Sequence, residues 1–405
     1  MSFFTTIQIG DGPNIDAFDR LRVSEPSTIF DCKMIADNQP LLFDDQQTAG
    51  TATSTYNTNQ ASVTLAVTSG ATGTRVRQTF RRFNYQPGKS QLIFMTGIMG
   101  ATVANATKRI GLFDAQNGYF FENNGTNVGV VRRTFTSGAA FDNRVAQSGW
   151  NIDKMDGTGP SGITLDFTKV QIFMTDFEWL GVGRIRMGFV VDGIIYYCHQ
   201  FLIANVISLV STSNPNLPVR YELSSSAAVN ASLTAICAAV ISEGGKDPTG
   251  NLFSVDRGTA GLTTLNDSDI YPLIAIRLKS AYQFADVQPN SLSIICISTA
   301  AYRFALLLNP TITGTALSFS SLANSAIEFD VARTSGSKVT AGTGTQIGSG
   351  YAQSNREASV ATSIQSNVRL GASIAGVSDI LVLAVQRVTG TTETFYGSLG
   401  WRELQ

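Results

Sequence analysis

Two carboxylates and two guanidinium groups lie close together in the run MTDFEWLGVGRIR, as Asp176, Glu178, Arg184 and Arg186. A carboxylate pair is the minimum equipment for glycosidic cleavage, one group protonating the leaving oxygen while the other attacks or activates water. The acid of such a pair needs a raised pKa, whereas neighbouring guanidinium groups lower it and keep both carboxylates ionised. The arginines therefore favour a cross-strand ion ladder over catalysis by Asp176 and Glu178. His199, the single histidine, follows Cys198. One histidine removes most His-based triads and zinc sites from consideration. Successive strand residues point to opposite faces, so a Cys198–His199 thiol and base would not cooperate. His199 is expected to be a hydrogen-bonded strand residue, with Arg186 beside it disfavouring its charged form.

Other motifs are weaker. RVRQTFRRFNYQPGK, residues 75–89, interleaves arginines with aromatics in a pattern compatible with single-stranded nucleic acid. A net charge of −1 gives no global field for a polyanion, which favours a strand with one basic side and makes nucleic acid an unexpected partner. WNIDKMDGTGPSG carries Asp153 and Asp156 but lacks the alternating acidic ligands and final Glu of an EF-hand loop, so a turn-rich loop is expected. No phosphate-binding glycine loop or nucleophile elbow is present, and neither a cofactor nor a metal is expected. Tyr119 and Trp150 are the candidate aromatic contacts for a sugar ring.

These groups must be positioned by strands. In MGFVVDGIIYYCHQF the Asp192-Gly193 pair supplies a two-residue hairpin turn between β-branched and aromatic flanks. Setting Val191 opposite Ile194 places Phe189 opposite Tyr196, Met187 opposite Cys198 and Arg186 opposite His199. A second hairpin around Leu180–Gly183 pairs Asp176 with Arg186, Glu178 with Arg184 and Phe177 with Ile185. Its other face gathers Phe173, Phe177 and Trp179 with Ile185, Met187 and Phe189, as a half-buried antiparallel sheet requires. Asn117-Gly118 and Asn124-Gly125 divide residues 110–135 into a three-stranded meander.

At 405 residues the chain is long enough for more than one core. Its 15% of charged residues is low, and polarity comes instead from Ser, Thr, Asn, Gln and 37 glycines. Such a surface loses little on burial against a partner, because few ions are desolvated. Four scattered cysteines, Cys32, Cys198, Cys237 and Cys296, read as reduced thiols. The first twenty residues do not have the pattern of a signal peptide, no run is long enough to span a bilayer as a helix, and no membrane partner is expected. The expected fold is all-β, with two antiparallel β-sandwich domains, the first jelly-roll-like, and an extended N-terminal arm. The expected boundaries are an arm over 1–33, a first sandwich over 34–245, a linker or long connection over 246–270, and a second sandwich over 271–405.

DAFDRLRVSEPSTIFDCK (16–33), the run from Trp150 to His199 and NPNLPVRYEL (214–223) together resemble a family of structural proteins encoded by tailed double-stranded DNA bacteriophages. The resemblance implies association with a virion and supplies no catalytic residues. It agrees with the expectation of a non-enzymatic, exposed accessory component, a capsid decoration or a tail or neck appendage. Such a protein would be assembled in the host cytoplasm, would associate with itself, for example as a trimer, and would dock on other virion proteins. Phe18, Arg20, Leu21, Arg22, Val23 and Phe30 are the candidate residues of an arm packing on a neighbouring subunit. The alternative is a module of the adsorption apparatus that binds a host-surface glycan.

Overall fold

The computed structural model describes residues 14–16, 21, 25–245, 247, 249–297, 300–353, 358–359 and 368–404. It is an all-β protein of two compact units, Met1–Thr79 with Tyr85–Asp247, and Phe80–Asn84 with Pro248–Gln405.

The first unit contains β1 (Ser27–Lys33), β2 (Phe43–Gly50), β3 (Thr53–Asn57), β4 (Ser62–Val67), β5 (Gly73–Thr79), β6 (Ser90–Ile98), β7 (Ala106–Phe113), β8 (Gly118–Asn123), β9 (Val128–Thr134), β10 (Phe141–Ala146), β11 (Gln171–Phe177), β12 (Ile185–Val191), β13 (Ile194–Phe201), β14 (Val219–Ser225) and β15 (Ala231–Glu243). One sheet runs β13-β12-β11-β6-β15-β4-β3, with β1 also on β15, and the other runs β10-β9-β8-β7-β14-β5-β2. The chain alternates between them, β4 to β5, β6 to β7, β10 to β11 and β14 to β15, which is the wrapping of a jelly roll. Alternation along each strand sends one residue set inward. Tyr119 and Phe121 of β8 meet Phe177, Phe173 and Phe189 from the opposite sheet, with ring centroids 4.9–5.2 Å apart.

The second unit contains β16 (Asn251–Asp256), β17 (Leu262–Thr263), β18 (Tyr271–Leu278), β19 (Asp286–Cys296), β20 (Ala301–Leu308), β21 (Ile312–Gly314), β22 (Ser320–Ser321), β23 (Ile327–Asp330), β24 (Ser337–Val339), β25 (Thr345–Gln353), β26 (Ala358–Ser359), β27 (Ile380–Arg387) and β28 (Thr394–Leu404). Sheets ordered β16-β28-β19-β26 and β22-β23-β18-β27-β20-β25 enclose a core around Trp401, Phe395, Leu383, Ile276 and Tyr302. Residues 251–256 and 262–263, expected within a connection, are instead strands paired with β28. The reason is compositional: NLFSV alternates apolar residues toward a core, and Gly250 and Gly258 supply the left-handed bends on either side.

The N-terminal expectation changes as well. Phe30 is buried in β1, edge-on to Phe43, and β1 pairs with β15 of the same chain, so this part of the segment is a sandwich strand. Leu21 forms a lone bridge with Ile15 and is half exposed. Phe18, Arg20, Arg22 and Val23 lie outside the described residues.

Candidate functional site

β11 and β12 pair in the expected register, with Asp176 opposite Arg186 and Phe177 opposite Ile185. Asp176 and Arg186 form an ion pair with no solvent exposure on either side chain. Tyr197 donates its hydroxyl to Asp176 Oδ2 at 3.2 Å, and the Arg186 guanidinium lies 4.4 Å from the Tyr197 ring centroid. Arg186 also donates to the Ile15 carbonyl at 2.8 Å. The regular ladder stops at Phe177–Ile185, one step short of Glu178 and Arg184. Glu178 is fully buried, and Arg184 reaches Gln200 Oε1 and the Asp16 carbonyl at 3.4 and 3.5 Å. A carboxylate locked against a guanidinium and sealed from water has no access to a substrate, so this cluster organises the sheet.

The β12–β13 hairpin follows the expected register from Val191–Ile194 to Gly188–Tyr197, then shifts. Met187 faces His199, not Cys198, and Arg186 faces Gln200, not His199. A bulge at Cys198 causes the slip: its carbonyl turns to accept the backbone N–H groups of Ile152 and Asp153, both at 3.1 Å. His199 Nδ1 accepts the Asn151 N–H at 3.3 Å. Burial, and not Arg186, pushes the His199 pKa down to about 4. Because the unfolded imidazole takes its proton near pH 6.5, the unfolded state gains protons first on acidification, and stability falls as pH drops from there toward 4. Between pH 6.5 and 5, this group alone is expected to remove about 2 kcal/mol. Urea titrations of wild type and His199→Gln check this, because the variant should lose that part of the slope.

The aromatic sugar contacts are not available. Tyr119 is fully buried, its hydroxyl 3.4 Å from Ser211 Oγ and Thr212 Oγ1, and Trp150 is 4% exposed and packs on Phe189. Tyr119 shares the inward parity of Phe121, which removes its ring from the surface. The basic run is also consumed internally. Arg75 and Arg77 bind Asp45, Lys89 binds Asp247, and within the second unit Arg81 pairs with Asp286. In the 150–162 loop, Asp153 caps the Met155 and Ser161 N–H groups and Asp156 caps Thr158, so both carboxylates hold turns. Among the described residues no group of three or more metal-ligating side chains converges, and no helix is long and apolar enough to cross a membrane.

Two features escaped the sequence reading. The first is a continuous ion ladder on the outer face of the second sheet. Arg220 Nε, Glu222, Arg109, Glu122 and Arg144 Nε connect in that order through contacts of 2.9, 2.6, 2.8 and 2.7 Å. Arg144 reaches Glu122 by crossing β9 at Gly129, where a Cβ would stand 3.0 Å from its Cζ. Burial alone would raise the Glu222 pKa, but Arg220 and Arg109 together hold the carboxyl below its ordinary value. A carboxyl held below its ordinary value is not prepared to donate a proton, which argues against glycosidase chemistry by Glu222 on this face.

The second is a cleft of about 430 Å³ at one end of the same sheet, lined by Ala104, Asn105, Thr107, Asn124, Gly125, Thr126 and Ser224–Ser226. Three sequence stretches build it. Asn105 adopts φ +65° ahead of β7, Asn124-Gly125 turns β8 into β9, and β14 ends in a serine run. The Asn124 side chain accepts the N–H groups of Thr126 and Asn127 at 3.0 Å, fixing the turn. Thr107 and Ser224 face each other across the β7–β14 ladder. Their hydroxyls, with that of Thr126 and the Asn105 amide, bond no described side chain or backbone group, and all four residues line the cleft. No lining residue is ionisable.

No family model and no curated protein matches the chain. Solved structures do. A glycosyl hydrolase family protein from Mycobacterium fortuitum matches with TM-score 0.37 and 9% identity over 53% of this chain and 99% of its own. A Bacillus licheniformis β-glucanase matches with TM-score 0.33 and 10% identity over 53% and 97%. A β-1,3-glucanase from Mycobacterium marinum matches with TM-score 0.35 and 9% identity over 53% and 98%. These likenesses concern the β-sandwich alone. The three matched structures are named as a glycosyl hydrolase family protein and glucanases, and on that finding the expected capsid decoration or tail or neck appendage is corrected.

Proposed function

We propose that the protein is a non-catalytic carbohydrate-binding module that holds a neutral glycan in the cleft between the Asn105, Asn124-Gly125 and Ser224–Ser226 stretches. The observation that carries this reading is a concave site lined by uncharged hydrogen-bonding groups, among which the Thr107, Thr126 and Ser224 hydroxyls and the Asn105 amide bond no described group of the fold. Each hydroxyl both donates and accepts, as each sugar hydroxyl does, and amides supply the same pair of functions. The cleft volume falls in the range of small-ligand sites. With no ionisable lining group, the cleft offers neither the proton donor nor the nucleophile that glycosidic cleavage demands. The resemblance of the central run to tailed-phage proteins fits a host-surface glycan as the ligand.

A neutral-oligosaccharide array followed by calorimetry tests the proposal. Wild type is expected to bind at least one neutral glycan and leave it uncleaved. Thr107→Val with Ser224→Ala should weaken binding about tenfold or more, the cost of two hydrogen bonds. Absence of binding across the array, or equal affinity in the double variant, would sink the reading.

A further inference from the structure

Nine residues of β25, Thr345–Gln353, form the outer strand of the six-stranded sheet in the second unit. Its inner edge pairs with β20, and among the described residues no strand pairs with its outer edge. An open edge presents a row of backbone donors and acceptors that templates further pairing, and proteins usually guard it with charge or proline. TQIGSGYAQ contains neither. Every residue of the strand is at least partly exposed, and the Tyr351 side chain is 75% exposed. Among the described residues, the other outer strands longer than five residues are guarded. β2 carries Asp44 and Asp45, β10 carries Asp142 and Arg144, and β16 carries Asp256. On β13 the Cys198 carbonyl is already taken by Ile152 and Asp153. β3 is uncharged but only five residues long.

We propose that β25 pairs antiparallel with β25 of a second copy of this chain, joining two sheets across a two-fold axis. The occupant follows from the strand itself. Register with β20 slips at Ile347, leaving Gly348–Gln353 as the regular stretch. Pairing about Gly350 sets Ser349 opposite Tyr351 of the second copy and Gly348 opposite Ala352, with like faces together. Gly350 faces its own equivalent on the axis, where its Cβ position is already filled by the Phe304 ring at 2.5 Å. Both copies are uncharged along the contact, so no like charges oppose, and an isologous contact of this kind closes at two subunits. Tyr351 then covers a serine and the glycines flanking it, converting an exposed ring into a cross-strand contact.

Sedimentation velocity over a concentration series, with the full chain, reads the outcome. Wild type is expected to show a monomer–dimer equilibrium. Ser349→Lys with Tyr351→Lys changes only exposed side chains and places like charges opposite each other twice; it should raise the dissociation constant at least about tenfold, with an unchanged melting temperature at dilutions where both proteins are monomeric. Ser349→Cys with Tyr351→Cys should give a disulfide-linked dimer on oxidation. A wild type that remains monomeric at its solubility limit, or a lysine variant that dimerises equally, overturns the proposal. A dimer that the cysteine variant cannot crosslink also overturns it, since the pair would then be joined elsewhere.

Discussion

Replacing Arg186 with methionine is expected to cost about 3–5 kcal/mol of unfolding free energy, because it removes a buried counter-charge that the fully buried Asp176 carboxylate is paired with. Asp176 sits between β6 and β12, opposite Leu92 on one side and Arg186 on the other. Met174, Leu92 and Tyr197 form an apolar cluster on the same face of the sheet. Asp176 has no exposed surface at which water could take the place of the lost guanidinium, and the Tyr197 hydroxyl that donates to it carries no charge. The same substitution releases the Ile15 carbonyl from its hydrogen bond to the guanidinium.

The double variant Arg186→Met with Asp176→Leu separates the ion pair's own worth from the damage of breaking it. Removing both charges takes the buried carboxylate away together with its guanidinium, and buried pairs replaced by apolar side chains of similar volume frequently cost little. Recovery of most of the lost stability is expected in urea unfolding followed by tryptophan fluorescence. If the single variant loses under about 1 kcal/mol, or the double variant is as unstable as the single, the description of Asp176 as a dry, guanidinium-dependent carboxylate is wrong.

Local chemistry made much of this fold readable. Asp192 and Gly193 occupy left-handed backbone at φ +51° and +80°, as a two-residue hairpin turn demands, and so the register from Val191–Ile194 to Gly188–Tyr197 followed from the sequence. The bulge at Cys198 did not, because its cause lies some forty-five residues earlier, in the Ile152 and Asp153 N–H groups that claim the Cys198 carbonyl. Tyr119 and Trp150 were misplaced for a related reason. Aromatic identity suggests stacking on a sugar, while strand parity and the opposing sheet decide whether the ring reaches solvent.

The cleft and the ion ladder were hidden by topology. β14 inserts between β7 and β5, far from either in sequence, and only that insertion sets Ser224 beside Thr107 and Glu222 beside Arg109. The alternation Arg220-Tyr221-Glu222 marks a strand with one charged face. It does not identify the strand that the face will meet. Small uncharged residues carry even less signal, since Ser, Thr and Asn are ordinary in turns and become a site only where three turns converge.

Lys108→Met is expected to stabilise the protein by about 2 kcal/mol at pH 7, the opposite sign to most substitutions of a buried residue. Lys108 lies on β7 with 2% of its surface exposed, and its ammonium donates to the Ala101 carbonyl at 2.8 Å. One carbonyl does not replace a hydration shell, and burial pushes the lysine pKa down from 10.5 to about 8. The folded state therefore releases this proton before the unfolded state does. Below pH 8 both states hold the charge, and the fold carries a penalty of about 3 kcal/mol, equivalent to the depression of the pKa. As pH rises from about 8 to 10.5 the folded amine is neutral while the unfolded one still binds its proton, so wild-type stability climbs through that window. Methionine removes the penalty and leaves the Ala101 carbonyl without its donor, a loss of about 1 kcal/mol, which sets the expected net gain. Unfolding free energies measured from pH 7 to 10.5 distinguish this from a simple packing effect. The variant should be more stable at pH 7 and lack the wild-type rise, so that the two curves converge or cross near the alkaline end. A constant offset between parallel curves would mean that the Lys108 ammonium is not paying a desolvation cost in the fold.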